Sequence, residues 1–233
     1  MARDCLFRSD HLNDLTNDDW VALKSFGLRT ICDLRSPRER QRHPSMVPLA
    51  GVLDIHLPIM ADVRADPRYT IDFQGRFGAQ EAEAMMVAIY RQFPGALAPH
   101  LRQLFKLLEC NEAPVLLHCT AGKDRTGFVT AVLLHALGID KEAILADYLR
   151  TADSHLMTDA QSRMRLAENI VMSLGMNCSD AAMDTILDVR ESFFAAAFEE
   201  LELRYGSLDG YLEAEAAMDA KRISQLRNRY LSV

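Results

Sequence analysis

A chain of 233 residues, 49% of them hydrophobic, is long enough to bury a full core and reads as one domain over residues 1–233. Its net charge of -7, from 26 basic and 33 acidic residues interspersed along the chain, lacks the basic footprint with which nucleic-acid binders displace counterions, so no nucleic-acid partner is expected. Five cysteines without CxxC spacing, no apolar leader and no uncharged run longer than Thr126 to Ile139 point to a reduced, cytoplasmic protein with no transmembrane segment.

Thr16 opens a helix over "NDDWVALKSFG": it supplies a cap, acidic residues fill the first turn and Gly27 stops it. "LRTICDL" then reads as a short strand that ends on Asp33 and Arg35, "SPRERQRH" as a polar connection, and "GVLDIHLPI" as a second strand. Residues 58–78, with two prolines, two glycines and Asp62, Asp66 and Asp72, read as a long irregular loop and a candidate active-site wall. Two helices are predicted next, Gln80 to Phe93 and Pro99 to Glu109, broken at Pro94-Gly95. "PVLLHC" is a short buried strand, Thr126 to Leu137 an apolar helix stopped by Gly138, and "DKEAILADYLRTA" a helix capped by Asp140. Four further helical segments follow, roughly 152–174, 180–188, 190–205 and 207–230, so an α/β domain with a helical C-terminal half is expected.

The stretch "VLLHCTAGKDRTGF", residues 115–128, carries the chemistry. A strand ending at Cys119, a turn containing Gly122 and a helix starting near Arg125 would curl the amides of residues 120–125 around one point before a helix N-terminus, which makes an anion cradle. The same positive field, with Arg125 and Thr126 close by, favours the thiolate of Cys119, a nucleophile at the floor of a phosphate site. The C-x5-R spacing lets Arg125 lay its planar fork across two phosphoryl oxygens, which a lysine cannot do.

Other readings fit less well. A Walker loop needs glycine five residues before Gly122 and Ser or Thr after Lys123, where this chain has Leu117 and Asp124. No CxxC or HExxH completes a metal site, and His118 points to the face of the strand opposite Cys119, so neither a metal nor another cofactor is expected. A lone core thiol is the bland alternative for Cys119, but the loop around it supplies a means of activating it.

"HCTAGKDRTG" resembles the signature of cysteine-dependent phosphatases, and "AGKDRT" is similar to that of the bacterial tyrosine/serine phosphatases of the phosphatase-B type. The likeness extends to "LFRSDHLNDLTNDDWVALKSFGLRTICDLRSPRE" and to "YGSLDGYLEAEAAMDAKRISQLRNRYL", nearly the whole chain. Family members usually carry a further N-terminal segment with an "NFRDLGG"-like stretch; this chain starts just after its expected place, so either it is short or its sheet edge is built differently. The resemblance implies a central, mostly parallel sheet flanked by helices. It also implies Cys119 as nucleophile, Arg125 as clamp, and the backbone of Thr120, Ala121, Gly122, Lys123 and Asp124 as cradle.

Asp124 becomes a candidate general acid by the same likeness, with Asp62, Asp66 and Asp72 as rivals; a carboxylate orienting Arg125 is its plainer role. Lys123 adds charge where a substrate with a second phosphate would project, which brings in phosphoinositides beside phosphoproteins; an exposed lysine raising the local potential is the alternative. Thr126 is expected to donate to the thiolate, His118 to fix the loop, and Asp33 and Arg35 to support it from the neighbouring strand end. Met157, Met164, Met172, Met176 and Met183, within 152–205, outline either a movable helical lid or ordinary core. The expected activity is a metal-independent tyrosine phosphatase that extends to phosphoserine and phosphothreonine through a phosphocysteine. The alternatives are a phosphoinositide phosphatase, a non-catalytic module binding phosphate or another oxyanion, and, set aside for the Arg125-Thr126 closure, a rhodanese-type enzyme. Cys5, Cys32 and Cys110 are candidate resolving thiols.

Overall fold

The computed structural model describes residues 5–61, 77–110, 112–174 and 178–231. Four strands, β1 (Leu6–Ser9), β2 (Thr30–Asp33), β3 (Leu53–His56) and β4 (Val115–His118), form one sheet in the order β1-β4-β2-β3, with every adjacent pair parallel. The two central strands are buried along their whole length, as a sheet covered on both faces requires. Alternation sorts their side chains: Cys32, Val115 and Leu117 enter the main core, while Ile31 and Leu116 enter a smaller one with Leu12, Trp20 and Leu28. Trp20 belongs to α1 (Asn17–Ser25), which starts at a capping box between Thr16 and Asp19.

Register aligns Ser9, His118, Asp33 and His56 at the carboxyl end of the sheet, the edge where open α/β folds place their sites. The half-buried edge strand β1 was not anticipated, because four residues, "LFRS", are too few to show a period. The polar connection after β2 contains a short helix, α2 (Pro37–Arg42), with Pro37 at its start and a reciprocal Ser36–Glu39 box.

The two helices expected on either side of Pro94-Gly95 are one, α3 (Ala79–Glu109), which runs through Pro94 and Pro99. Its apolar face, with Met86, Tyr90, Phe93, Leu97, Leu101 and Phe105, is buried, and that burial outweighs the hydrogen bonds the prolines remove. α4 (Asp124–Ala136) starts two residues before the expected Thr126, and α5 (Lys141–Leu149) is capped by the Asp140 carboxylate. A single 3₁₀ turn leads to α6 (His155–Thr158) and α7 (Ala160–Leu174), then to α8 (Asp180–Leu187) and α9 (Glu191–Tyr205). The last expected segment is two helices, α10 (Leu208–Ala216) and α11 (Ala220–Leu231), parted where Ala217 takes the left-handed conformation at φ 55°. No helix among the described residues is long and apolar enough to cross a membrane.

Candidate active site

Cys119 follows directly on β4 and is buried in the main core, whereas His118, one residue earlier, faces Asp33 across the other side of the sheet. The loop that follows turns its carbonyls outward. Thr120 O accepts from the His11 amide at 3.3 Å, Gly122 O from Arg8 Nη2 at 2.8 Å and Lys123 O from the Gly127 amide at 2.8 Å. The amides from Thr120 to Lys123 donate to no backbone carbonyl among the described residues, and they lie just ahead of the α4 N-terminus. Gly122 is obligatory here: its φ is +67°, and a Cβ would lie 2.7 Å from Ser9 O. Arg8 holds the outer side by binding Asp147 Oδ2 and Thr151 Oγ1, both at 2.8 Å, a support the sequence reading did not identify.

Arg125, in the first turn of α4, reaches back over the loop and is met by Glu39 of α2. Nη1 donates to Glu39 Oε2 and Nη2 to Oε1, each at 2.7 Å, so the contact uses the Nη ends of the guanidinium and not Nε. Thr120 Oγ1 adds a 2.5 Å bond to Oε1, and the Ser36 amide one of 2.8 Å to Oε2. Burial alone would push Glu39 up, but these donors and the charge of Arg125 hold it far below the usual carboxylate range. Burial likewise works against the Arg125 charge and is overcome by Glu39 and by the nearby Cys119, which together raise it above the ordinary arginine value. Glu39 was missed in the sequence, although the S-x-x-E capping box around it was the available signal.

Asp33 and Arg35 form a buried pair, with Nε to Oδ1 at 2.9 Å and Nη2 to Oδ2 at 2.7 Å. Arg35 also binds His43 O at 2.8 Å and Ser45 Oγ at 2.9 Å, so it secures the chain leaving α2. Burial lowers the His118 pKa to about 4 against the pull of Asp33, 3.9 Å away, and the ring is neutral at pH 7. The Thr126 hydroxyl is buried without a hydrogen-bond partner among the described residues, and no bond to Cys119 is formed.

Lys123 is neither exposed nor aimed at solvent. Its side chain is 3% exposed, and Nζ binds Asp124 Oδ1 at 2.6 Å and Asp188 O at 3.3 Å, which removes the projecting charge expected for a second phosphate. Asp124 Oδ1 also accepts from Tyr90 Oη at 2.6 Å. Asp62, Asp66 and Asp72 lie outside the described residues, as does Met176. Ala121 packs against a small apolar cluster from α6, α7 and α8 built on Leu156, Met157, Leu166 and Leu187. Met183 joins that cluster, but Met164 and Met172 face solvent, so the methionines do not form one stripe. Cys32, Cys110, Cys119 and Cys178 form no disulfide among the described residues, where no group of three or more His, Cys, Asp or Glu could hold a metal ion either.

A cysteine at the end of a central parallel strand, an outward-carbonyl loop and an arginine folded across it define the class of cysteine-dependent phosphatases. Residues 1–232 match the tyrosine phosphatase family, and the chain belongs to it. The triple specificity protein phosphatase PtpB of Mycobacterium tuberculosis is 35% identical over 253 aligned positions, covering 95% of this chain and 89% of its own. The Cupriavidus necator protein H16_A0669 is 30% identical over 97% of this chain and 78% of its own. The solved structure of Pseudomonas aeruginosa TpbA, 23% identical over 74% of this chain and 88% of its own, superposes only loosely, with a TM-score of 0.35. The protein is thus a cysteine-dependent hydrolase of the protein-tyrosine phosphatase type.

Proposed function

We propose that Cys119 is the nucleophile, Arg125 the phosphoryl clamp and Asp124 the general acid of a phosphatase that hydrolyses phosphotyrosine and also phosphoserine and phosphothreonine. One observation carries this reading: the 119–125 loop turns its carbonyls outward around a buried cysteine and sets an arginine over its mouth. The Cys119 thiolate attacks phosphorus, the bond to the substrate oxygen breaks, and that oxygen takes the proton of Asp124. Water then attacks the phosphocysteine, the P–S bond breaks, Asp124 takes the proton back and inorganic phosphate leaves. The loop amides and the Nε side of Arg125 would hold the phosphoryl oxygens, where charge gathers in both steps.

The breadth of the substrate class is supported by the name of the M. tuberculosis relative. Phosphoinositides lose their main support because Lys123 is buried and engaged. In a buffer without phosphate, Cys119→Ser should abolish turnover of aryl phosphates. Asp124→Asn should lose about 100-fold in kcat/KM on poor leaving groups and far less on good ones, the mark of a lost acid. Equal losses on both would remove Asp124 from the role.

A further inference from the structure

We propose that the buried tyrosines Tyr90 and Tyr148 form a positioning device for Asp124, a two-hydroxyl chain that pins Oδ1 so that Oδ2 carries the proton to the leaving group. The proposal rests on the reading of Asp124 as the acid.

Tyr90, on α3, and Tyr148, on α5, are 0% and 1% exposed and sit among phenylalanines. The Tyr90 ring lies tilted against Phe93 and Phe193, with centroids 4.8 Å and 5.7 Å away, and Tyr148 against Phe194 at 4.6 Å. Phenylalanine would fill the same space, and an unpaired hydroxyl there would be costly, so the two oxygens need a reason. Their hydrogen bonds supply it. Tyr90 Oη donates to Asp124 Oδ1 at 2.6 Å, and Tyr148 Oη lies 2.8 Å from Tyr90 Oη. A phenol has one proton, so with the Tyr90 proton on Asp124, Tyr148 must donate to Tyr90.

The chain therefore runs one way, from Tyr148 through Tyr90 to the carboxylate. Lys123 Nζ reaches the same Oδ1 and also binds Asp188 O, at the α8–α9 junction. Two donors occupy Oδ1, while none among the described residues reaches Oδ2. Burial keeps both phenols protonated, since each is raised well above the ordinary tyrosine value. The pair orients the acid and does not supply its proton.

The test compares kcat/KM of wild type, Tyr90→Phe, Tyr148→Phe, Asp124→Asn and Tyr90→Phe/Asp124→Asn on dinitrophenyl phosphate, phenyl phosphate and phosphotyrosine, with thermal melts to establish folding. Tyr90→Phe should lose about 10-fold or more on the two poor leaving groups and under about 2-fold on dinitrophenyl phosphate. Tyr148→Phe should show the same bias, smaller, and the double variant should be no worse than Asp124→Asn alone. A Tyr90→Phe loss that is equal on all three substrates, or absent, would overturn the proposal, and if that variant fails to fold, Tyr148→Phe decides by the same criterion. An Asp124→Asn enzyme without leaving-group bias would overturn the acid assignment itself and this inference with it.

Discussion

At the scale of single residues the site turns on one carboxylate outside the signature. Glu39 accepts from both Nη groups of Arg125, from Thr120 Oγ1 and from the Ser36 amide, and so ties Thr120 and Arg125 of the C-x5-R loop to α2. Because this contact occupies the Nη ends, it orients the guanidinium and leaves Nε out of the bond to Glu39. Glu39→Gln exchanges one acceptor for a donor facing Arg125, which must then swing away. We expect kcat/KM on aryl phosphates to fall about 100-fold, the usual cost of misplacing a group by an ångström, and the inhibition constant of vanadate to weaken in parallel. If both stay within about 2-fold of wild type, Glu39 is a helix cap and nothing more. The signature residues were legible because their chemistry is local: Cys119, Gly122 and Arg125 lie within one turn. Glu39 was not, because its partner is 86 positions away and only the fold joins them. The role of Lys123 was misjudged for a related reason, since "GKDR" gives its charge but not its burial beneath α8.

Among the elements, those with complete local signals were read correctly. Thr16 and Asp19 cap α1, Asp140 caps α5, and the apolar run "VLLH" gives β4. Errors arose where tertiary packing overrode a local rule, as in α3, whose prolines sit in a helix held by α8, α9 and α10. The same packing divides the expected lid. Since α8 and α9 lie against α3, they belong to the body, whereas α7 touches chiefly α6 and α8. We propose α6 and α7 as the cover of the phosphate loop, joined to it where Ala121 packs against the cluster that includes Leu156, Met157 and Leu166. Such a cover opens at a cost set by this small cluster and not by the main core. Vanadate should therefore slow proteolytic cleavage within 155–174, and Leu166→Ala should speed it while moving the melting temperature little. Cleavage rates that are equal with and without vanadate would count against a moving cover.

For the molecule as a whole, the carboxyl end of the sheet concentrates polar burial, with Asp33, Arg35 and His118 each 1% exposed beside the catalytic loop. That arrangement makes folding depend on pH. Burial lowers the His118 pKa to about 4, whereas the unfolded chain has the ordinary value of about 6.5. Between those values the unfolded state binds the extra proton, so this contribution to stability is intact above about pH 6.5 and is lost as the pH falls toward 4. At about 1.4 kcal/mol per unit the loss is about 2 kcal/mol at pH 5. Asp33 and Glu39, both held below the carboxylate range, lose their contributions only at lower pH, and Asp10, raised mainly by burial, acts in the opposite sense. Comparing wild type with His118→Gln isolates the histidine from all three. Urea unfolding at pH 7.5 and pH 5 should show wild type losing about 2 kcal/mol more than the variant across that interval. Parallel losses in the two proteins would mean that His118 takes up its proton in the folded sheet, and that the wall between Asp33 and the catalytic loop carries a charge the present geometry does not accommodate.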